Sequence, residues 1–467
     1  MDDAFRNHLA RHGQQHVLAF WDELTPRQQA RLAAHLREVD LELLARLRRG
    51  EQAAADWAAL ARRAQSPPAI RLGQGHPQLE AAAARRAGEQ HLAAGQVGVV
   101  LVAGGQGTRL GFDAPKGMFP IGPVSGSTLF QILLEKVAAC RARYGAAIPL
   151  YLMTSPATHE PTLEYLQREN DFGLPADEVI IFCQGTMPAV EAATGKLLLE
   201  AKDSLALSPD GHGGMLAAMV RGGVLDDIAA RGLQTLFYMQ VDNPLTQVCD
   251  PEFIGYHSLS GSELSTLVKA KTVPREKVGN VVSIDGRVQI IEYSDLNPLP
   301  DEIVLRTDGD GRPVFWAGNT AIHAIDAAFL RRMAASDAAL PFHLAHKKVP
   351  YVDDAGQLVE PAEANAIKFE RFIFDLLPWA EQAIVMEIDP AEAFRPVKNA
   401  PGEATDTPES VQAAMMALHR RWLQAAGAQV ADDVQVEIGP HFALDAEQTA
   451  QRIEPGTVID RPTYLSK

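Results

Sequence analysis

Cysteine is scarce in this sequence: Cys140, Cys183 and Cys249 are the three among 467 residues, far apart and without C-x-x-C spacing. Neither a disulfide framework nor a thiolate metal site is indicated, and all three are expected to be small buried apolar groups. No apolar stretch approaches the roughly 18 residues of a membrane span, which disfavours insertion into a bilayer. The start, Met1-Asp2-Asp3, has neither the basic residues nor the apolar segment of a secretory signal, so a cytoplasmic protein is expected. Basic residues are in deficit, 43 against 59 acidic, and the net charge of −16 disfavours nucleic acid as a partner. A phosphate-handling site in such a chain has to concentrate arginine, lysine and metal locally. Internal repeats and low-complexity tracts are missing, and no protein partner is evident.

The chain exceeds the length at which one hydrophobic core stops growing, so more than one domain is expected. Thr25-Pro26-Arg27-Gln28 is a capping-box pattern with proline at the first helical position, and Leu32, Leu36 and Val39 follow at helical spacing. Asp40 is placed to cap a second helix with Leu41, Leu44 and Leu47 on one stripe and Gly50 as its stop. From Ala53 to Gly95 the chain reads as further helix, broken by a loop around Pro67-Pro68. At Gln96 the pattern changes. Val97, Val99, Val100, Leu101 and Val102 make a short apolar run, as in a strand buried on both faces. Runs at 148–153, 179–182 and 236–241 alternate with helical segments such as Leu129–Tyr144, which predicts a doubly wound α/β domain with a mixed, mainly parallel sheet. Asp285-Gly286 turns a hairpin between 281–284 and 288–291. Beyond Asn399, an amphipathic helix around 415–423 and short alternating segments suggest a small C-terminal α+β domain. The expected division is a helical arm over 1–95, a catalytic domain over 96–395 and the C-terminal domain over 396–467.

The segment Gly104-Gly105-Gln106-Gly107-Thr108-Arg109-Leu110-Gly111 directly follows the first strand. Glycines let backbone N–H groups approach phosphate oxygens, and an open α/β sheet presents a crevice at the carboxyl ends of its strands. The spacing fits neither G-x-G-x-x-G nor G-x-x-x-x-G-K-[ST], which argues against a dinucleotide fold and a Walker-type ATPase. Arg109 and Lys116, two cations on one loop, suit a triphosphate. Asp242 ends an apolar strand run, where a carboxylate can hold Mg²⁺ against phosphate oxygens, although Asn243-Pro244 after it also allows a helix cap. His343 and His346 are expected to cap or to face solvent.

The pattern from Gly104 to Gly117 resembles the UDP-N-acetylhexosamine pyrophosphorylases, the N-acetylglucosamine branch of the UDP-sugar pyrophosphorylase family. The likeness begins at Leu18-Ala19-Phe20-Trp21-Asp22-Glu23-Leu24 and continues through Phe182-Cys183-Gln184-Gly185-Thr186-Met187-Pro188, Ser208-Pro209-Asp210-Gly211-His212-Gly213-Gly214 and Val241-Asp242-Asn243. It then takes in Ile291-Glu292-Tyr293-Ser294, Ala317-Gly318-Asn319, Phe372-Ile373-Phe374-Asp375 and Pro396-Val397-Lys398-Asn399. The fold this implies is a Rossmann-like nucleotidyltransferase.

Residue by residue, the resemblance implies that Gly104, Gly105, Gln184 and Gly213 lie against uracil and ribose, with Arg109 and Lys116 on the phosphates. Gln184 carries both a carbonyl and an amide, which suits the mixed donor and acceptor edge of uracil. Asp242 takes Mg²⁺, and Lys398 contacts the sugar phosphate. Gly279, Glu292 and Asn319 surround the hexose hydroxyls and acetamido group, walled by Phe372 and Phe374. His212 stands where this branch usually carries Asn and the UDP-glucose branches His, so a UDP-glucose or broad-specificity UDP-sugar pyrophosphorylase is the alternative. The implied substrates are UTP and a sugar 1-phosphate. The implied reaction is in-line attack of the sugar phosphate on the α-phosphorus, with UDP-N-acetylglucosamine and pyrophosphate as products.

Overall fold

Val97–Val102 is a strand in which Val97, Val99, Val100 and Leu101 are fully buried, as its apolar run requires, while Val102 at its end is half-buried. It belongs to a ten-stranded sheet in a computed structural model that describes residues 2–49, 56–336 and 340–466. Gly50, the expected helix stop, and Ala53 to Ala55 lie outside the described residues. Across the sheet the strands run Ala69–Ile70, Ala383–Glu387, Leu264–Ala270, Ala317–Asp326, Thr235–Gln240, Val97–Val102, Leu150–Thr154 and Val179–Cys183. Ala317–Asp326 is antiparallel to both its long neighbours, and the other pairs on this path are parallel. The hairpin Asn280–Ile284 and Arg287–Ile291 attaches to Ala317–Asp326. The mixed, mainly parallel sheet read from the sequence is therefore present.

Helix Leu129–Tyr144 starts where the Thr128 hydroxyl accepts from Gln131 N–H and stops at Gly145, whose φ of +65° few other residues tolerate. It buries Leu129, Phe130, Leu133, Leu134 and Val137 in the core that also holds Val97, Val99 and Leu101. Helices Ala81–Ala93 and Pro251–Leu259 approach more closely than side chains allow. A Cβ on Gly88 would lie 1.8 Å from the Pro251 carbonyl oxygen, and one on Gly255 would lie 1.7 Å from that of Ala84.

The described chain gathers into two compact units, interleaved along the sequence. The first comprises residues 1–56, 184–218 and 337–375; the second comprises 57–183, 219–336 and 376–467. In the first, the capping box of Thr25 and Gln28 forms as expected, as does the Asp40 cap on Leu43 N–H. The stripe Leu32, Leu36, Leu41, Leu44 and Leu47 packs with Val190, Leu197, Leu205 and Phe369, so these helices share one core with segments far along the chain. The second unit holds the whole sheet. Val411, Met415, Leu418 and Leu423 of helix Pro408–Ala425 join the same core as Val97 and Leu129, and the segments beyond residue 396 share this core. The units thus cut across the divisions at 95/96 and 395/396, because a periodic apolar stripe says that a face is buried but not against what. Among the described residues no helix is long and apolar enough to cross a membrane. Cys140 and Cys249 are buried as expected, whereas Cys183 is half-buried.

Candidate active site

In the second unit the glycine loop folds back on itself. The Gly104 carbonyl accepts from Ser155 Oγ at 2.7 Å, the Gly105 carbonyl from Lys116 N–H at 3.0 Å, and Gly107 N–H donates to the Ala114 carbonyl at 2.9 Å. Lys116 is thereby fixed beside the glycines. A Cβ on Gly105 would meet no atom within 4 Å, so the packing of the chain does not call for glycine there. Arg109 is exposed in the short turn Thr108–Leu110.

Asp242 follows strand Thr235–Gln240 at the same carboxyl edge of the sheet as Gly104. Its Oδ2 is 3.5 Å from Lys116 Nζ, and no helix begins at it; the next helix, Pro251–Leu259, is capped by Asp250. The Asp242 carbonyl accepts from Val397 N–H at 2.8 Å, which places Lys398 one residue away from this contact. Burial lowers the Lys116 pKa below the ordinary lysine value; Asp242 opposes the shift, and the charges of Lys398 and Arg109 add to it. Arg109, Lys116, Asp242 and Lys398 therefore share one electrostatic neighbourhood, the local concentration of cations that an acidic chain needs for phosphate.

Gly279, Glu292 and Asn319 also come together in this unit. Asn319 N–H donates to the Gly279 carbonyl at 2.8 Å, and a Cβ on Gly279 would sit 2.7 Å from Glu292 Oε1. Asn319 lies in the first turn of pleat of strand Ala317–Asp326, beside a register shift opposite Thr266 and Val268. The shift coincides with Ala321 at φ +56°, a strained value for a residue with a Cβ. Ala321 N–H donates to Asn319 Oδ1 at 2.9 Å. That bond fixes the amide orientation and leaves its NH₂ end as the part that can meet a ligand.

The first unit assembles Gln184, His212, Gly213, Phe372 and Phe374. Gln184 is buried, and the Gly185 carbonyl beside it accepts from Asp210 N–H. A Cβ on Gly213 would be 2.6 Å from the Phe372 nitrogen, which explains glycine there. The His212 ring stacks on Phe372 at 5.2 Å, and its Nδ1 accepts from Ile373 N–H at 3.1 Å, so Nε2 carries the proton. Burial, with His343 nearby, pushes the His212 pKa down to about 4, so this ring is neutral at pH 7 and adds no cation. Phe372 and Phe374 stack at 5.0 Å just beyond the end of strand Ala366–Glu370.

Two features escaped the sequence reading. His343 neither caps nor faces solvent: its Nε2 is 2.8 Å from Asp375 Oδ2 and its ring packs on Phe372 at 4.5 Å, while His346 is exposed as expected. Arg371 binds the buried Asp210 at 2.5 Å and lies over the Phe342 ring. No spacing rule pairs residues so far apart.

A family model described as UTP--glucose-1-phosphate uridylyltransferase matches residues 55–453. The chain is similar to UDP-N-acetylhexosamine pyrophosphorylase-like protein 1 of Homo sapiens, at 37% identity over 91% of this chain and 86% of that protein. It is 33% identical to UDP-N-acetylglucosamine diphosphorylase 2 of Arabidopsis thaliana, over 98% of this chain and 93% of the relative. The crystal structure of the uridine diphosphate N-acetylglucosamine pyrophosphorylase from Trypanosoma brucei in complex with inhibitor superposes with a TM-score of 0.80, covering 99% of both chains at 24% identity, a likeness of fold.

Proposed function

Because this chain belongs to the UTP--glucose-1-phosphate uridylyltransferase family, we infer that it is the uridylyltransferase that joins UTP and N-acetylglucosamine 1-phosphate into UDP-N-acetylglucosamine and pyrophosphate. The observation that carries the choice of sugar is the amide of Asn319. With Oδ1 held by Ala321 N–H, its NH₂ is oriented to donate, which suits the carbonyl of an acetamido group. Relatives named for N-acetylhexosamine and N-acetylglucosamine support the same choice over glucose.

The reaction calls for no enzyme nucleophile. An ionised sugar phosphate attacks the α-phosphorus in line, so what the chain contributes is orientation and charge. We assign Arg109 and Lys116 to the triphosphate, Lys398 to the sugar phosphate, and Gly104, Gly105, Gln184 and Gly213 to uracil and ribose. Gly279, Glu292 and Asn319 are assigned to the hexose; His212, Phe372 and Phe374, which pack together in the first unit, are assigned to the sugar on the resemblance alone. Mg²⁺ fits the residues present as a companion of the nucleotide. Among the described residues no three metal-ligating side chains cluster, and Asp242 offers one carboxylate, the usual protein share when phosphates and water complete the shell. When bound, the ion neutralises phosphate charge.

The sugar assignment is tested by kcat/KM for both sugar phosphates. Leaving a buried amide unpaired costs roughly 1–3 kcal/mol, so N-acetylglucosamine 1-phosphate is expected to be preferred over glucose 1-phosphate by at least about tenfold. Asn319→Ala shrinks that ratio more than His212→Asn does. A wild-type preference for glucose 1-phosphate, or a selectivity that moves with His212 alone, points to the other branch of the family.

Asp242→Asn is expected to raise the Mg²⁺ concentration needed for half-maximal rate and to change the alkaline limb of the pH profile. Lys116 works as a cation, so the rate falls as pH rises through its pKa, below the ordinary lysine range because of burial. Asp242 holds that pKa up, so its removal moves the limb to lower pH. An unmoved limb in titrations of kcat against pH removes Lys116 from the rate-limiting charge.

A further inference from the structure

Away from these residues, the second unit contains a cavity of about 140 Å³ between helix Leu129–Tyr144, helix Pro408–Ala425 and the segment that follows Asp242. Its wall mixes apolar side chains, Leu245, Met415, Leu418 and Trp422 among them, with charged groups. Four carboxylates line it and each is already engaged. Asp250 caps Glu252 and Phe253 N–H, Glu392 binds Arg421, Glu437 accepts from Val124 N–H, Ser125 N–H and Ser125 Oγ, and Asp445 binds Arg143. Lys136 is different. Its ammonium donates to the carbonyls of Pro244 at 2.6 Å and Thr246 at 2.9 Å, and among the described residues no carboxylate lies within ion-pair distance of it. An ammonium has three N–H donors, so one remains without a protein acceptor.

His419 completes the pattern. It is 8% exposed, and its Nδ1 accepts from Ile438 N–H at 3.1 Å, so Nε2 bears a proton for which the described residues provide no acceptor. Burial and the neighbouring Lys136 push its pKa down to about 3, so it is a neutral donor at pH 7. A cation without an ion-pair partner and a neutral N–H donor, beside the apolar part of a wall whose carboxylates are already engaged, are complementary to an anion with a hydrophobic body. The volume sets the size, since an apolar cavity of about 150 Å³ takes one benzene ring.

We propose that this cavity is a binding site for a small carboxylate anion carrying one ring or a short branched chain, with the carboxylate on Lys136 Nζ and His419 Nε2 and the apolar body against Leu245, Met415, Leu418 and Trp422. The site touches function through the chain. Lys136 braces Pro244 and Thr246, and Asn243 between them and Asp242 donates to the Ala393 carbonyl and accepts from Arg395 N–H. An anion that draws Lys136 toward itself loosens the first of these braces, so occupancy acts as a regulator of the Asp242 segment.

Isothermal titration of the full chain with benzoate, and with benzyl alcohol as the neutral ring of similar size, tests the proposal without reference to turnover. Benzoate is expected to bind at least about tenfold more tightly than benzyl alcohol, because the alcohol cannot pair with the ammonium. Lys136→Met, which keeps the apolar stem, and Ala443→Leu, which fills the cavity, each weaken benzoate by at least about tenfold. Equal affinities for the two probes, or no heat from benzoate, overturn the proposal on the wild-type protein alone. So does unchanged benzoate binding in either variant whose circular dichroism matches the wild type.

Discussion

Lys116→Ala lowers kcat by at least about two orders of magnitude, and Arg109→Ala does the same, because each removes a cation that stabilises charge growing on the transferring phosphates. The two differ in surroundings. Lys116 is 17% exposed and 3.5 Å from Asp242, so its loss also leaves that carboxylate without its neighbour, whereas Arg109 is exposed and its loss disturbs nothing else in the fold. Arg109→Ala therefore melts with the wild type, while Lys116→Ala shows a small change in stability. Single-turnover rates separate the chemical step from product release, and either variant within a few-fold of wild type loses its place among the catalytic groups.

Gly255→Ala and Gly88→Ala each destabilise the protein by about 3 kcal/mol or more, although helix propensity alone favours alanine over glycine by about 1 kcal/mol. The sign decides between the two effects. At Gly255 the new Cβ would be 1.7 Å from the Ala84 carbonyl oxygen and at Gly88 1.8 Å from that of Pro251, so helices Ala81–Ala93 and Pro251–Leu259 have to move apart. Moving them opens the core around Ala84 and Tyr256. Urea titration measures the loss directly. A variant as stable as wild type shows that the two helices slide without cost.

How much of this was legible in the sequence follows from the range of each signal. Val97–Val102, the helix Leu129–Tyr144 and the hairpin at Asp285-Gly286 are local patterns, and all three form within a residue or two of expectation. The glycine loop with Arg109 and Lys116 was legible for the same reason, since the glycines and the cations lie within one short stretch. Ala69–Ile70 carries no periodicity in two residues, and its pairing with Val385 and Met386 rests on a partner more than three hundred residues away. Asn319 could be nominated by its motif, but not the kink at Ala321 that turns its amide, because alanine is an ordinary strand residue until the register shift forces φ positive. Nothing local in Leu129–Tyr144 singles out Lys136; only the segment returning after Asp242 makes it a brace, through the Pro244 and Thr246 carbonyls.

The interleaving of the two units bears on how the chain is made. Leu9, Leu32 and Leu36 leave the ribosome well before Val190, Leu197 and Phe369, with which they share one core. During synthesis these helices must wait, with their leucines uncovered, until the stretch that carries Phe369 has been translated. Neither unit can be expressed as a continuous fragment, since the first is built from three separate stretches and the second from three others. A nascent chain arrested before residue 369 therefore carries an unprotected apolar surface for chaperones, and protease sensitivity of arrested chains drops when that last stretch emerges.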